Sequence, residues 1–368
     1  MAHRERPVRR NLIHASLRKQ ILDGRWGPGA YLPSEADLGR RFRASRVTIR
    51  AALKLLRADG LVQTQPGIGW CVGTPSGLKP RERPVEFLAT PFPTAGYVFD
   101  GVRRYLGEAG LHLPTHLTPV EHFAKDVRPL SERVDLRKTG GLIFFSPTPL
   151  PPTQVEEAQA ARVPIVCAGL AAHADYDTIC TDNVRGLELL VETLVERGHR
   201  HIGFASADDV TRADPSFGLR QLGYEQAMRR RELQPAVVRT PANYFLGPEE
   251  ERLILGWLKG LEAEGRRPTC LVGACDSMAC QLLTLLTRHG LSVPREISVA
   301  GFDRDRTQEL AVTRFGLRAL TSVEQPWEEI GRTAASRLVA RLARDPAGPS
   351  LTLVPPRLYE GDSVKAVR

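Results

Sequence analysis

A chain of 368 residues exceeds what one ordinary hydrophobic core serves, so two or three domains are expected. Its 42% hydrophobic and 25% charged residues suit a folded soluble protein, and no run approaches the roughly 18 apolar residues that span a membrane. The net charge of +9 is confined to residues 1–80, which hold 15 Lys and Arg against 5 Asp and Glu, while the remainder balances at 36 against 37. So localised a basic footprint points to a polyanion, because each phosphate neutralised releases condensed counterions. The start MAHRERPVRR is basic, but NLIHASLRKQ follows without an apolar stretch, which speaks against a secretory signal and for a cytoplasmic protein. The six cysteines (71, 167, 180, 270, 275 and 280) lack CxxC or Cys/His ligand spacing, so neither metal nor cofactor is expected.

Ser34, with Asp37 three residues later, forms a capping-box-like helix start. Ser45 can cap the next helix, where Ile49, Ala52, Leu53 and Leu56 recur at i, i+3, i+4, i+7 and mark one buried face. The opposite face opens with Arg46, Thr48 and Arg50, and Gly60 stands where a left-handed terminator belongs. Leu61–Gln65 and Trp70–Val72 read as strands flanking the turn-forming Pro66-Gly67-Ile68-Gly69. Helix, turn, basic helix and hairpin make a winged helix-turn-helix over residues 1–74.

This stretch resembles the DNA-binding domain of the GntR family of bacterial transcription regulators, over about residues 10–75. The resemblance takes in an upstream helix with Ile13, Leu17 and Ile21, the break Asp23-Gly24, then Leu32-Pro33-Ser34, Leu38, Ser45-Arg46, Thr48, Arg50, Ala52-Leu53, Leu56, Gly60-Leu61, Gly67, Gly69 and Val72. It implies that Arg46, Thr48 and Arg50 enter the major groove or hold phosphates and that Gly67 approaches the minor groove, with Ser34, Arg41 and Ser45 completing the DNA-facing set. Ala36 and Ile68 depart from the family, which usually has basic or polar residues there, so some phosphate contact is expected to be lost.

Residues 75–84, Pro75-Ser76-Gly77-Leu78-Lys79-Pro80-Arg81-Glu82-Arg83-Pro84, have little to bury and read as a linker, which predicts loosely tethered heads. From residue 85 strands and helices alternate. Val85–Ala89, Gly141–Phe145, Val163–Ala168, His201–Ala205, Cys270–Ala274 and Ile297–Phe302 read as strands. Ala95–Glu108, a helix opened by Asp182 or Asn183 and stopped at Gly198, and Ser277–His289 read as helices. Such βαβ crossovers give an α/β domain with parallel sheets, and its length favours two lobes over residues 85–368. Ligands of such sheets sit beyond the carboxyl ends of the strands.

This body is similar to the periplasmic sugar-binding-protein-like effector domain of the LacI/GalR regulators. The resemblance rests on Thr181-Asp182-Asn183 with Gly186, Glu196 to Ile202, Arg220 with Gly223-Tyr224, and Cys275 to Ala279. It continues through Gly290, the stretch Val293 to Asp303, and Leu320 to Pro326 with Gly331. A GntR-type head on such a body is the combination of arabinose-repressor-like regulators. By that resemblance Arg220, Asp303, Asp276 and Gln325 line an effector cleft, and Tyr244 supplies a ring. The chemistry suits a polyol: Arg220 offers a planar fork of donors, and Asp303 can accept from two vicinal hydroxyls. The same residues have plainer uses, Asp276 as a helix N-cap, Arg220 in a surface pair with Asp214, Asp303 as a turn former and Tyr244 as core. Cys275 and Gly169 replace polar residues of the family, which leaves a pentose, a sugar acid or phosphate, and a non-sugar ligand as candidates.

The scattered histidines form no HExxH, and neither GxSxG nor a Walker loop occurs, so no enzyme is expected. A transport-type binding protein would have no use for a basic winged helix. The reading is a homodimeric, ligand-responsive regulator of operator DNA, by default a repressor, with a partner-protein-binding body as the alternative. Leu282–Leu286 and Trp327–Leu342 are candidates for core or dimer contacts. Closure of the lobes on a ligand is expected to change the spacing of the two heads.

Overall fold

The computed structural model of the chain describes residues 2–22, 25–26, 30–58, 61–65, 69–72, 84–90, 92–109, 111, 115–119, 128–146, 148–169, 174–207, 215–241, 247–343, 345 and 347–367. Apolar spacing builds the amino-terminal head. Helices α1 (Ala2–Leu22), α2 (Glu35–Phe42) and α3 (Arg46–Ala58) close over Leu17, Leu38, Ile49, Leu53 and Leu56, all fully buried. The predicted apolar stripe of α3 is thus its inward face, and each such leucine gains about 1.5–3 kcal/mol on burial. Helix α2 ends where Arg43 turns left-handed at φ +47°, which redirects the chain into α3. Strands β1 (Val62–Gln65) and β2 (Gly69–Val72) pair antiparallel as the wing. The segment before α2 also lies along β2, with the Leu32 N–H on the Trp70 carbonyl at 2.8 Å and the Val72 N–H on the Ala30 carbonyl at 2.9 Å. Gly60 and the wing tip Pro66-Gly67-Ile68 lie outside the described residues.

The chain divides into two compact units, Met1–Cys180 with Trp327–Thr352, and Thr181–Pro326 with Leu353–Arg368. Besides the head, the first holds a six-stranded sheet in the order β13-β7-β6-β5-β3-β4 among the described residues. Its strands are β3 (Val85–Ala89), β4 (Thr115–Pro119), β5 (Gly141–Phe145), β6 (Ile165–Ala168), β7 (Asp177–Thr181) and β13 (Leu351–Val354). Pairing from β4 through β7 is parallel, as the strand–helix alternation predicts. Helix α4 (Thr94–Glu108) and the helix Trp327–Leu342 touch backbone to backbone at glycines. A Cβ on Gly101 would overlap the Glu328 carbonyl, and one on Gly331 the Val98 carbonyl.

Buried charge pins the far end of that helix. Asp177, 1% exposed, accepts from Arg337 Nε at 2.9 Å and Arg341 Nη2 at 3.0 Å, with Ser350 N–H at 2.9 Å. Burial works against its charge, yet Arg341 and Arg337 hold the carboxyl below the usual range. Arg337 continues to Asp345 at 3.1 Å, and Arg18 of α1 pairs with the same carboxylate. The head is therefore not merely tethered, contrary to the linker composition. Asp345 is 5% exposed, and a second cation offsets its desolvation. Residues 75–83 of the expected linker lie outside the described residues.

The second unit carries a sheet in the order β14-β12-β11-β10-β8-β9. Its strands are β8 (Ile202–Ala207), β9 (Ala236–Thr240), β10 (Cys270–Gly273), β11 (Ser298–Asp303), β12 (Thr321–Glu324) and β14 (Arg357–Tyr359). All described pairings are parallel except β14 on β12. The helix Asn183–Glu196 starts on Asp182, whose side chain accepts the Arg185 N–H, and ends before Gly198 at φ +93°. It packs on the helix Pro215–Arg230, where a Cβ on Gly223 would overlap the Val184 carbonyl. Leu282, Leu283, Leu285 and Leu286 of the helix Asp276–Arg288 are all buried in the core, which settles that leucine run as core. His199 is buried between Thr269 Oγ1 at 2.9 Å and the Lys365 carbonyl at 3.0 Å, a structural role.

Candidate nucleic-acid interface and effector site

Arg46 and Arg50 leave α3 opposite its buried stripe, and both are exposed. Ser45 accepts the Thr48 N–H at 3.3 Å and lies 2.9 Å from the Thr48 hydroxyl, so the predicted cap forms and Thr48 is half-buried by it. Ser34 caps α2, accepting the Asp37 N–H at 3.2 Å while its hydroxyl donates to the Asp37 carboxylate at 2.5 Å. Arg41 is exposed on α2 and donates to Gln20 at 3.0 Å. Gly67 lies outside the described residues.

Two residues of this surface escape a reading of the sequence. Glu35 accepts from Arg50 Nε at 3.0 Å and Nη2 at 2.8 Å, and from the Trp70 indole N–H at 3.2 Å. The hydrogen bond from Arg50, against some burial, holds the Glu35 carboxyl below its ordinary range. One carboxylate thereby joins α2, the basic helix α3 and the wing strand β2. A first-turn acid directly after the cap serine was the only signal, and it reads equally as a favourable helix-dipole charge.

In the second unit, Asp303 ends β11 and Gln325 follows β12 at the carboxyl edge of the sheet, beside Thr181 at the start of the unit, with Arg220 rising from the helix Pro215–Arg230. Arg220 is 3% exposed and donates from Nε to Asn183 Oδ1 at 2.9 Å and from Nη1 to the Ala274 carbonyl at 2.8 Å. Its Nη2 meets Asp303 Oδ1 at 2.9 Å, and the guanidinium lies 3.9 Å from the Phe302 ring centroid. Burial on these partners excludes the surface pair with Asp214, which itself lies outside the described residues, as does Tyr244. Gln325 donates to Asp303 Oδ1 at 2.7 Å and accepts from the Thr181 hydroxyl at 2.6 Å. Asn183 closes the chain by donating to the Thr181 carbonyl at 3.2 Å.

Asp303 is the exposed member, at 25%, and sits at φ +114° with Arg304 after it at φ +53°. Two successive non-glycine residues at positive φ are costly, about 1–3 kcal/mol each, and such strain gathers at ligand clamps and switches. Asp276 is not the N-cap that its plainer use would make it. It is the first residue of its helix, whose N-cap is Cys275, the Sγ accepting the Met278 N–H at 3.5 Å. Its carboxylate is 3% exposed and takes Ser322 Oγ–H at 2.7 Å and the Asp305 N–H at 2.7 Å. Burial, with the nearby Asp303 charge, pushes its carboxyl up to about 8. It braces the loop after β11 from inside. Gly169, in the first unit, has no room for the aspartate of some relatives: a Cβ there would lie 2.8 Å from the Ser146 carbonyl oxygen.

Among the described residues no helix is long and apolar enough to cross a membrane, and no group of three or more His, Cys, Asp or Glu could hold a metal ion. Residues 10–72 match the family described as bacterial regulatory proteins, gntR family, and residues 191–364 match the periplasmic binding protein-like domain. The arabinose metabolism transcriptional repressor of Geobacillus stearothermophilus is 27% identical over 344 residues, which cover 87% of each chain. The HTH-type transcriptional repressor PurR of Escherichia fergusonii is 31% identical over 240 residues, 64% of this chain and 66% of its own. A LacI family transcriptional regulator from Enterococcus faecium, solved with bound ribose, superposes with a TM-score of 0.57 at 18% identity, over 77% of this chain and all of its own. These relatives are regulators and not enzymes. The chain belongs with the bacterial transcription regulators that join a gntR-family winged helix-turn-helix to a periplasmic-binding-protein-like domain.

Proposed function

We propose that this regulator is a cytoplasmic homodimeric repressor whose head, residues 1–74, grips operator DNA, and whose body, residues 85–368 beyond a linker at 75–84, binds a small polyhydroxylated effector. In the head, Arg46, Thr48 and Arg50 address the major groove. Ser34, Arg41, Ser45 and the wing glycine Gly67 support them at the backbone. In the body, Asp303 and Gln325 present the ligand-facing edge, with Tyr244 as the ring and Asp276 as the brace behind. Arg220 uses three of the five N–H donors of a guanidinium on Asn183, Ala274 and Asp303, which leaves a second hydrogen on Nη1 and on Nη2 for a ligand oxygen.

The observation that carries this reading is the Arg220–Asp303–Gln325 cluster at the carboxyl ends of a parallel sheet, where open α/β sheets place their ligands. A strained, quarter-exposed Asp303 held by two donors is a preformed acceptor for vicinal hydroxyls. The arabinose in the name of the Geobacillus relative makes a pentose the first compound to try. Ligand and DNA are coupled by a free energy, so the ligand acts only through its different affinity for the DNA-competent and DNA-incompetent states. Titrating a panel of pentoses, sugar acids and sugar phosphates by calorimetry, against wild type and Asp303→Asn, tests the reading. It predicts a compound whose heat of binding disappears in the variant. Equal binding to both would remove this cluster from the effector site.

A further inference from the structure

We propose that Glu35 is a positioning residue for base reading: it turns Arg50 from a phosphate-seeking cation into a fixed fork that selects guanine in the major groove. The inference rests on the DNA-binding reading of the head.

A guanidinium has two edges that can serve a pair of acceptors at once. Glu35 occupies the Nε–Nη2 edge of Arg50, at 3.0 and 2.8 Å, which leaves the terminal Nη1–Nη2 edge unspent on the carboxylate. The pair is asymmetric: Glu35 is 17% exposed and Arg50 60%, so the carboxylate is sheltered and the fork projects outward. The carboxylate is itself fixed from a third side by the Trp70 indole at 3.2 Å. An arginine on a flexible stem loses rotamer entropy when it docks, whereas one already clamped has lost it on folding.

Charge decides what such a fork is good for. Beside Glu35 the Arg50 charge is largely cancelled, so its attraction to phosphate is weak and sequence-independent binding gains little from it. Guanine O6 and N7 offer two acceptors at the spacing of the free edge, and a bidentate match discriminates by about 1–3 kcal/mol. Arg46 makes the contrast. It is exposed on the same helix and forms no ion pair among the described residues, and it reaches Glu35 only through its charge, an arrangement suited to a phosphate. The tie through Trp70 also gives the wing a stake in the recognition helix, since releasing the indole frees the carboxylate to swing with Arg50.

The test is selection from a pool of random-sequence duplexes with the full-length wild type, Glu35→Gln and Trp70→Phe, followed by affinities for the enriched duplex and for poly(dA-dT), which offers no O6 and N7 acceptor pair. The wild type should enrich a site with one strongly preferred guanine. Glu35→Gln should lose that preference at least tenfold while its poly(dA-dT) affinity holds or rises and its salt dependence steepens by about one counterion. Trp70→Phe, which spares both charged groups, should relax the same position by a smaller factor, and it serves if Glu35→Gln unfolds. A Glu35→Gln or Trp70→Phe protein that keeps the guanine preference overturns the proposal, as does an equal loss on both duplexes. A wild type that enriches no sequence overturns the DNA-binding reading itself.

Discussion

Arg220 and Asp303 meet at 2.9 Å, the guanidinium almost fully buried and the carboxylate open to solvent along one side. The arginine thus fixes the aspartate in a backbone conformation that an L-residue rarely adopts, and the aspartate neutralises a cation placed over the Phe302 ring. Cutting either half exposes what the other suppresses.

Replacing Arg220 by Met should therefore cost about 3–5 kcal/mol, because Asn183, the Ala274 carbonyl and Asp303 are left without their donor. Urea unfolding of the full-length protein measures this. A loss below about 1 kcal/mol would mean the cluster is not a structural unit.

Asp276 should give the body a stability that falls as pH rises. Its carboxyl is raised from 3.8 to about 8, first by burial and then by the charge of Asp303. A carboxyl that holds its proton more tightly when folded contributes stability that is complete below about pH 3.8 and is lost as pH rises toward 8. Stability of the wild type should fall across that window, by an amount on the order of several kcal/mol at most. Asp276→Asn should flatten the dependence. Parallel urea midpoints for both proteins from pH 5 to 8 would refute the assignment.

On the DNA side, Arg46→Ala should weaken binding to every duplex alike and make the salt dependence shallower by about one counterion. Arg50→Ala should cost about 1–3 kcal/mol on operator DNA and little on random sequence. Fluorescence anisotropy at several salt concentrations separates the two. Identical behaviour of both variants on both duplexes would show that the two arginines do not divide the work as described.

Gly331→Ala should destabilise the first unit by about 1–3 kcal/mol, since its Cβ would overlap the Val98 carbonyl and the helix Trp327–Leu342 would have to move off α4. Thermal melting checks it. An unchanged transition would mean that the two helices part without cost.

Elements with a strong period were legible from the chain alone. The α3 stripe, the helix beginning at Asn183 and the buried runs at Gly141–Phe145 and Cys270–Gly273 all lie within a residue or two of their expected bounds. The helix Pro248–Ala263 and the strands β4, β9, β13 and β14 were not, because they lie where apolar runs are short or broken; β9, for instance, alternates buried and less buried residues. In the candidate effector cluster, family resemblance points to Arg220, Asp303 and Gln325, but their partners Asn183 and Thr181 come from distant segments, and no spacing announces a contact across 144 residues. The N-cap alternative for Asp276 fails for a local reason: Cys275 takes the cap through its sulfur, and the acid stands one position further in, turned to the loop after β11. Glu35 and Trp70 are 35 positions apart and meet only when the wing folds back on α2.

The central claim is that one protein couples a DNA grip to a small-molecule site, and coupling is reciprocal. The most direct measurement is the operator affinity of the full-length protein with and without saturating ligand, alongside the ligand affinity with and without saturating operator. The account predicts that both ratios differ from one and are equal, and that both become one in Asp303→Asn. An operator affinity indifferent to every compound the body binds would contradict it.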